Sequence, residues 1–261
     1  MKRLFSAAIL ACVCASPARA DVTVRTTNKG PMGDTPSVQY IKGTKMRVES
    51  SVMGRDTVTI VDATARQMIS LDPATRQATI FDLGRMGEQI QQSANPSDVK
   101  VSMKPTGETR QLLGRDCAEY LLAITFSVTP PDVANAGAMI VTIGGPMWVA
   151  RDAPGTRDFQ AFYRAASEGG LFFAPGGRGG RGNPGVNERG MAAMYKAYAD
   201  TMGIPYEQQI EIKMDGSGPM AEMMRGRGGP PTTTITVTAI STDPIPDDKF
   251  EIPAGYSRRN Q

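Results

Sequence analysis

The chain has no histidine at all. That removes Ser-His-Asp and Cys-His catalysis in their usual forms. It also removes the common zinc sites, which need several His or Cys ligands, and haem held by a proximal His. A hydrolase using carboxylates alone, or a Ser-Lys pair, is what remains open to catalysis. Cysteine is nearly as scarce. Of three cysteines, Cys12 and Cys14 fall in the N-terminal segment, which leaves Cys117. A lone thiol cannot form an intramolecular disulfide, so a buried core must hold the fold. No apolar run is long enough to span a membrane as a helix.

Residues 1–20 have the three parts of a secretory signal. Lys2 and Arg3 give the positive start, Leu4 to Ala15 the apolar stretch, and Ala18-Arg19-Ala20 the small-residue cleavage site. Cleavage between Ala20 and Asp21 is expected, with a periplasmic protein as its product. The alternative is an outer-membrane lipoprotein, because Ile9-Leu10-Ala11-Cys12 loosely resembles a lipobox. Cleavage there would leave an apolar core of only Leu4 to Ala11 and bypass the better site.

Removing the signal also removes Lys2, Arg3 and Arg19, so 29 basic residues become 26 against 26 acidic ones. A domain with no net charge gives a nucleic-acid partner little support. The 241 residues after residue 20 suffice for one large core.

The dominant signal in what is present is period-two alternation broken by turn residues, the mark of a β meander. Val22 and Val24 start it, and Val38 and Tyr40 follow. A Lys42-Gly43-Thr44-Lys45 turn then leads to Met46 and Val48. Val58 and Ile60 come next. Met68 to Leu71 and Ala78 to Leu83 flank Asp72-Pro73-Ala74-Thr75, a turn with proline at its second position. Val99, Val101 and Met103 alternate again. The clearest run is Tyr120, Leu122, Ile124, Phe126 and Val128; residues 138–150, Tyr206 to Met214 and Thr232 to Ile240 complete the series. The count is roughly eleven strands, enough for a large curved sheet.

Three segments carry a helical period instead. Residues 85–94 predict a short helix bearing Met86 and Ile90. Residues 156–168 place Phe159, Phe162, Tyr163 and Ala166 on one face. Residues 188–202 do the same with Met191, Met194, Tyr195, Tyr198 and Met202, between Asn187 as N-cap and Gly203 as stop. The loops 169–190 and 216–231 are rich in glycine and arginine and read as solvated insertions, or as a basic rim for anionic headgroups or a partner. An RNA-binding reading of them fits poorly with export.

Several motif matches carry no chemistry. Gly177 to Gly182 satisfies G-x-G-x-x-G without the strand, helix start and downstream acid of a dinucleotide site. Ser97-Asp98-Val99-Lys100 satisfies S-x-x-K without its usual partner motifs. Asp243, Asp247 and Asp248 lack calcium-loop spacing and read as a solvated acidic turn. Met220, Met223 and Met224 have no His or Cys to complete a copper site. No metal or cofactor is expected. Methionine is nonetheless abundant, fifteen of sixteen lying after the signal, which suits either a soft core or a lining that adapts to a ligand. Cys117, early on the clearest strand, is expected to be a buried, inert thiol.

Tyr40-Ile41-Lys42-Gly43-Thr44-Lys45-Met46-Arg47 resembles the second hairpin of a secreted bacterial family catalogued as a domain of unknown function. Similar to the same family, in order, are Met68 to Pro73, Thr106 to Thr109 leading into Leu113 to Tyr120, Met147 to Asp152 and Gly203-Ile204-Pro205. So is the ending Ile245 to Tyr256, with its F-x-x-P-x-G-Y at Phe250 to Tyr256. By topology that family resembles the LolA/LolB lipoprotein-carrier superfamily. The resemblance implies a strongly curved antiparallel half-barrel whose concave apolar face is covered by two or three short helices. It implies acyl-chain binding in the concavity and no catalytic residues. The two Gly/Arg insertions depart from the compact family pattern.

The sequence therefore predicts one mainly β domain over 21–261, acting without catalysis. One expectation is a monomeric periplasmic carrier for a lipid or acyl chain. Its cavity would be lined by Met191, Met194, Tyr198, Met202, Phe159, Phe162 and Trp148. The alternative is a protein-interaction or envelope-sensing module on the same scaffold, its cavity filled by its own helices.

Overall fold

The computed structural model describes residues 21–31, 33–52, 54–85, 100–128, 139–169, 194–200, 203–216 and 232–261. They form one twelve-stranded sheet, curved and unclosed. The first meander is β1 (Val22–Gly30), β2 (Gly33–Lys42), β3 (Lys45–Val52), β4 (Arg55–Asp62), β5 (Gln67–Asp72) and β6 (Gln77–Asp82). The second is β7 (Lys100–Leu112), β8 (Arg115–Val128), β9 (Met139–Ala150), β10 (Ile204–Gly216) and β11 (Thr232–Ser241). β11 lies against β1, which joins the meanders in the order β6-β5-β4-β3-β2-β1-β11-β10-β9-β8-β7. These pairings are all antiparallel. β12 (Ser257–Asn260) adds a parallel strand outside β6 and is the one strand the alternation pattern did not predict.

Local chemistry fixes the tight connections. After β4, the Asp62 carboxylate accepts the backbone N–H groups of Thr64 and Ala65, at 3.0 and 2.9 Å. After β5, Asp72 does the same for Ala74 and Thr75. Arg66 and Arg76 close the two turns in the left-handed region, each at φ 51°. The Asp-x-x-x-Arg spacing is thus one turn design used twice, with the short acid side chain substituting for a ladder partner.

In mid-sheet, β9 carries Gly144 and Gly145 at φ 157° and 154°. A Cβ on Gly144 would lie 1.9 Å from the Leu122 carbonyl oxygen, and one on Gly145 2.4 Å from that of Gln209. The glycines let the β8, β9 and β10 backbones approach closely at this point.

One face of the sheet carries the helices. The helix α1 (Thr156–Glu168) buries Phe159, Phe162, Tyr163 and Ala166, the four residues its period predicted. It follows Gly155, whose φ of 76° turns the chain out of β9. The second helix, α2, occupies 194–200 and buries Tyr195, Ala197, Tyr198 and Ala199. Helical residues 83–85 follow β6, and the remainder of the helix expected at 85–94 lies outside the described residues. So do 188–193 and 201–202 of the third expected helix, most of both Gly/Arg loops, and residues 1–20.

The opposite face is crossed by the C-terminal segment. Ile245 and Phe250 are buried against Val58, Ile60, Leu71 and Ala78, with Tyr40, Ile69, Ile252 and Tyr256 packed around them. This gives the F-x-x-P-x-G-Y ending its physical meaning. Phe250 is its buried anchor, Gly255 supplies a turn at φ 82°, and Tyr256 lies beside the anchor before β12 docks on β6. Asp243, Asp247 and Asp248, read as a solvated acidic turn, are exposed, and Asp247 takes part in fastening this strap. Asp247 opens a 3-10 turn (Asp247–Phe250) and lies 2.9 Å from Lys42, whose ammonium also donates to the Ile245 carbonyl at 2.6 Å. Asp21, the residue expected to begin the mature chain, is buried there, its carboxylate accepting the Ile245 N–H at 2.6 Å.

Candidate functional site

Alternation along the strands assigns each side chain to a face. On β8, Tyr120, Leu122, Ile124 and Phe126 share one face, and Ala197 and Met194 of α2 pack over that row. Tyr120 stands opposite Met147 on β9, and Met147 stands opposite Gln208 on β10. These residues line the side that the helices cover.

That side has two parts. One is closed by an aromatic block packed on Val22, Ile41 and Met46 of β1 to β3 and on Tyr120, Met147 and Ile204 of β8 to β10. Phe159 and Tyr163 have ring centroids 4.6 Å apart, and Tyr163 packs against Phe162, Tyr195 and Tyr198 at 5.3–5.4 Å. Phe162 and Tyr195 have no solvent exposure. Two amides serve the phenols: Gln39 donates to the Tyr163 hydroxyl at 2.8 Å, and the Tyr198 hydroxyl donates to Gln208 Oε1. Burial raises the Tyr163 phenol to about 12, while the Gln39 bond pulls the other way. Burial also pushes Tyr195 and Tyr198 upward, with neighbouring phenols adding to it.

The second part lies over β8 to β10 and forms a separate apolar cluster. Leu122, Ile124, Phe126, Val141 and Ala197 are its buried members, and Met103, Ile143, Met194, Ile212 and Met214 are only partly buried around them. Its exposed margin therefore includes three thioethers. Met194 touches both this cluster and the aromatic block, so α2 bridges the two.

Phe159, Phe162, Tyr198 and Met194 are thus brought together on the helix-covered side. Trp148 packs, partly buried, against the same core cluster, and the Arg110 guanidinium lies 4.3 Å above its ring. Arg110 is in turn held by Glu207 at 2.6 Å. Met191 and Met202 lie outside the described residues, as does Ala20. Cys117 is 1 % exposed, and burial raises its thiol, which disfavours the reactive thiolate.

Sequence reading missed Gln208. It sits in the row with Ile210, Ile212 and Met214, in the gap the alternation left at that position, and is 4 % exposed. A polar residue in an otherwise apolar, inward-facing row was the available signal.

No family model matches the chain, and no curated protein matches it. Among the described residues no three acidic, Cys or His side chains gather closely enough for a metal, and no helix is long and apolar enough to cross a membrane.

Proposed function

We propose that this protein is a non-enzymatic binding or carrier protein for an apolar ligand, a lipid or acyl chain, in the bacterial periplasm. The resemblance to the half-barrel lipoprotein carriers gives the reading its class. The observation that carries it is the division of the helix-covered face. An aromatic block sets the frame, and beside it a distinct apolar cluster has a margin of methionines. A core needing only stability favours aliphatic and aromatic side chains with few rotamers. Thioethers on flexible stems repack around an entering chain at small cost. The helix α2, seven described residues resting on that cluster, is the natural cover.

A second reading has its own support. Phe162 and Tyr195 are fully buried and the aromatic rings are in mutual contact, as in a concavity filled by its own helices. A scaffold of this kind would act through its surface, as an interaction or sensing module.

Native mass spectrometry of gently purified mature protein separates the two. A carrier retains a lipid-sized adduct that solvent extraction removes. A clean protein mass together with a specific pull-down partner favours the module. The same spectrum tests processing: the proposal expects Asp21 at the N-terminus and no covalent lipid.

A further inference from the structure

We propose that Gln208 is the residue that fixes the polar end of the bound ligand. Its carboxamide N–H groups donate to an ester or amide carbonyl at the head of an acyl chain. This rests on the apolar-ligand reading above and adds the chemistry of the ligand's head.

The amide is 4 % exposed on the helix-covered side of β10. Its oxygen accepts the Tyr198 hydroxyl. Its Nε2 has no hydrogen-bond partner among the described residues. A buried primary amide offers two donors, and leaving both unmade is costly, so the group calls for an acceptor that the described residues do not supply.

The surroundings decide what kind of acceptor. Gln208 stands opposite Met147 on one neighbouring strand and Ile235 on the other, and its side-chain partner is a neutral phenol. An ionised carboxylate beside it would be buried without a counter-charge. A neutral carbonyl would not.

Position decides the rest of the molecule. Ile210, Ile212 and Met214 continue the same row toward the methionine-edged cluster, and six strand residues span about 20 Å. A carbonyl at Gln208 therefore has an apolar track of acyl-chain length leading away from it. Tyr198 ties the amide to α2, so the cover and the head-group contact form one unit.

The test compares two ligands of like chain, methyl palmitate and hexadecane, as competitors that displace the neutral dye Nile red from the mature protein. The wild type is expected to favour the ester about tenfold, the worth of one neutral hydrogen bond to a donor otherwise unpaired. Gln208→Leu, which keeps the row apolar, is expected to bring the two affinities together without loss of hexadecane binding. If neither ligand displaces the dye, the apolar-ligand reading itself falls. If both bind and the wild type does not discriminate, the Gln208 proposal falls while that reading stands. The proposal falls equally if folded Gln208→Leu still prefers the ester. Should the variant not fold, the wild-type complex is read directly from the infrared band of carbonyl-labelled methyl palmitate. A shift to lower frequency is expected on binding, and a band unmoved from its position in hexane overturns the proposal.

Discussion

Raising the pH from 7 to 12 tests the aromatic block without altering a residue. Tyr163, Tyr195 and Tyr198 are buried phenols whose pKa values burial raises, Tyr163 to about 12. A raised folded-state pKa means that above about pH 10 the folded chain holds protons the unfolded chain has lost. The stability they contribute is fully present below pH 10 and is lost as pH climbs toward the folded value. At 1.36 kcal/mol per unit, an elevation of about two units on Tyr163 removes about 2.7 kcal/mol across that window. Tyr195 and Tyr198 act in the same direction, and a typical domain has only about 5–15 kcal/mol in total. Urea titrations followed by far-UV circular dichroism should therefore give a midpoint that is level from pH 8 to 10 and falls steeply above it. Tyrosinate absorbance from these three phenols should rise with unfolding rather than before it. Tyr163→Phe keeps the ring and should flatten part of the slope, while losing the bond that Gln39 donates at 2.8 Å. A midpoint that holds steady from pH 10 to 11.5 would refute the buried block.

Four further outcomes follow from the geometry. Gly144→Ala should cost at least about 3 kcal/mol, measured by urea denaturation, because the new Cβ meets a carbonyl oxygen of the neighbouring strand at 1.9 Å. Phe250→Ala should cost about 3–5 kcal/mol and expose the strap to protease, since this ring anchors it against the sheet. Acid should loosen the same strap. Burial raises the Glu49 carboxyl, but hydrogen bonds from Arg47 and Lys249 outweigh that and hold it low, so their contribution is present above pH 4.5 and lost as pH falls through the folded value. Amide exchange in 245–256 should accelerate there first. Finally, Arg110→Ala should change Trp148 emission, because the guanidinium lies 4.3 Å above the indole ring.

Much of the fold was legible because most strands bury one side and expose the other. Burial of one side of a strand imposes period two, and the runs around Val22, Met46 and Tyr120 show it toward the helices, that around Ile60 toward the C-terminal strap. Helix α1 was legible from four apolar residues at helical spacing. Ser257–Asn260 was not, since an exposed four-residue strand of Ser, Arg, Arg and Asn has no apolar side to alternate. Its place on β6 is set by the strap that delivers it. The facing of Trp148 was not legible either. Met147-Trp148-Val149-Ala150 is an unbroken apolar run, and such a run does not reveal which residue faces which way. The aromatic stripe was visible as a stripe. That its hydroxyls are served by Gln39 and Gln208 depends on contacts 124 and 10 residues apart, which no local pattern carries.

The central claim is that α2 covers a site for an apolar chain, and the most direct measurement is titration of the mature protein with a fluorescent fatty-acid ester, in wild type and in Met194→Ala. The account predicts saturable binding at micromolar concentration. It predicts a severalfold change in affinity when the Met194 thioether is removed, at a stability cost below the 2–5 kcal/mol of a buried truncation, since Met194 is only partly buried. Wild-type protein that binds no such probe, with Met194→Ala costing the full amount of a core cavity, would contradict it.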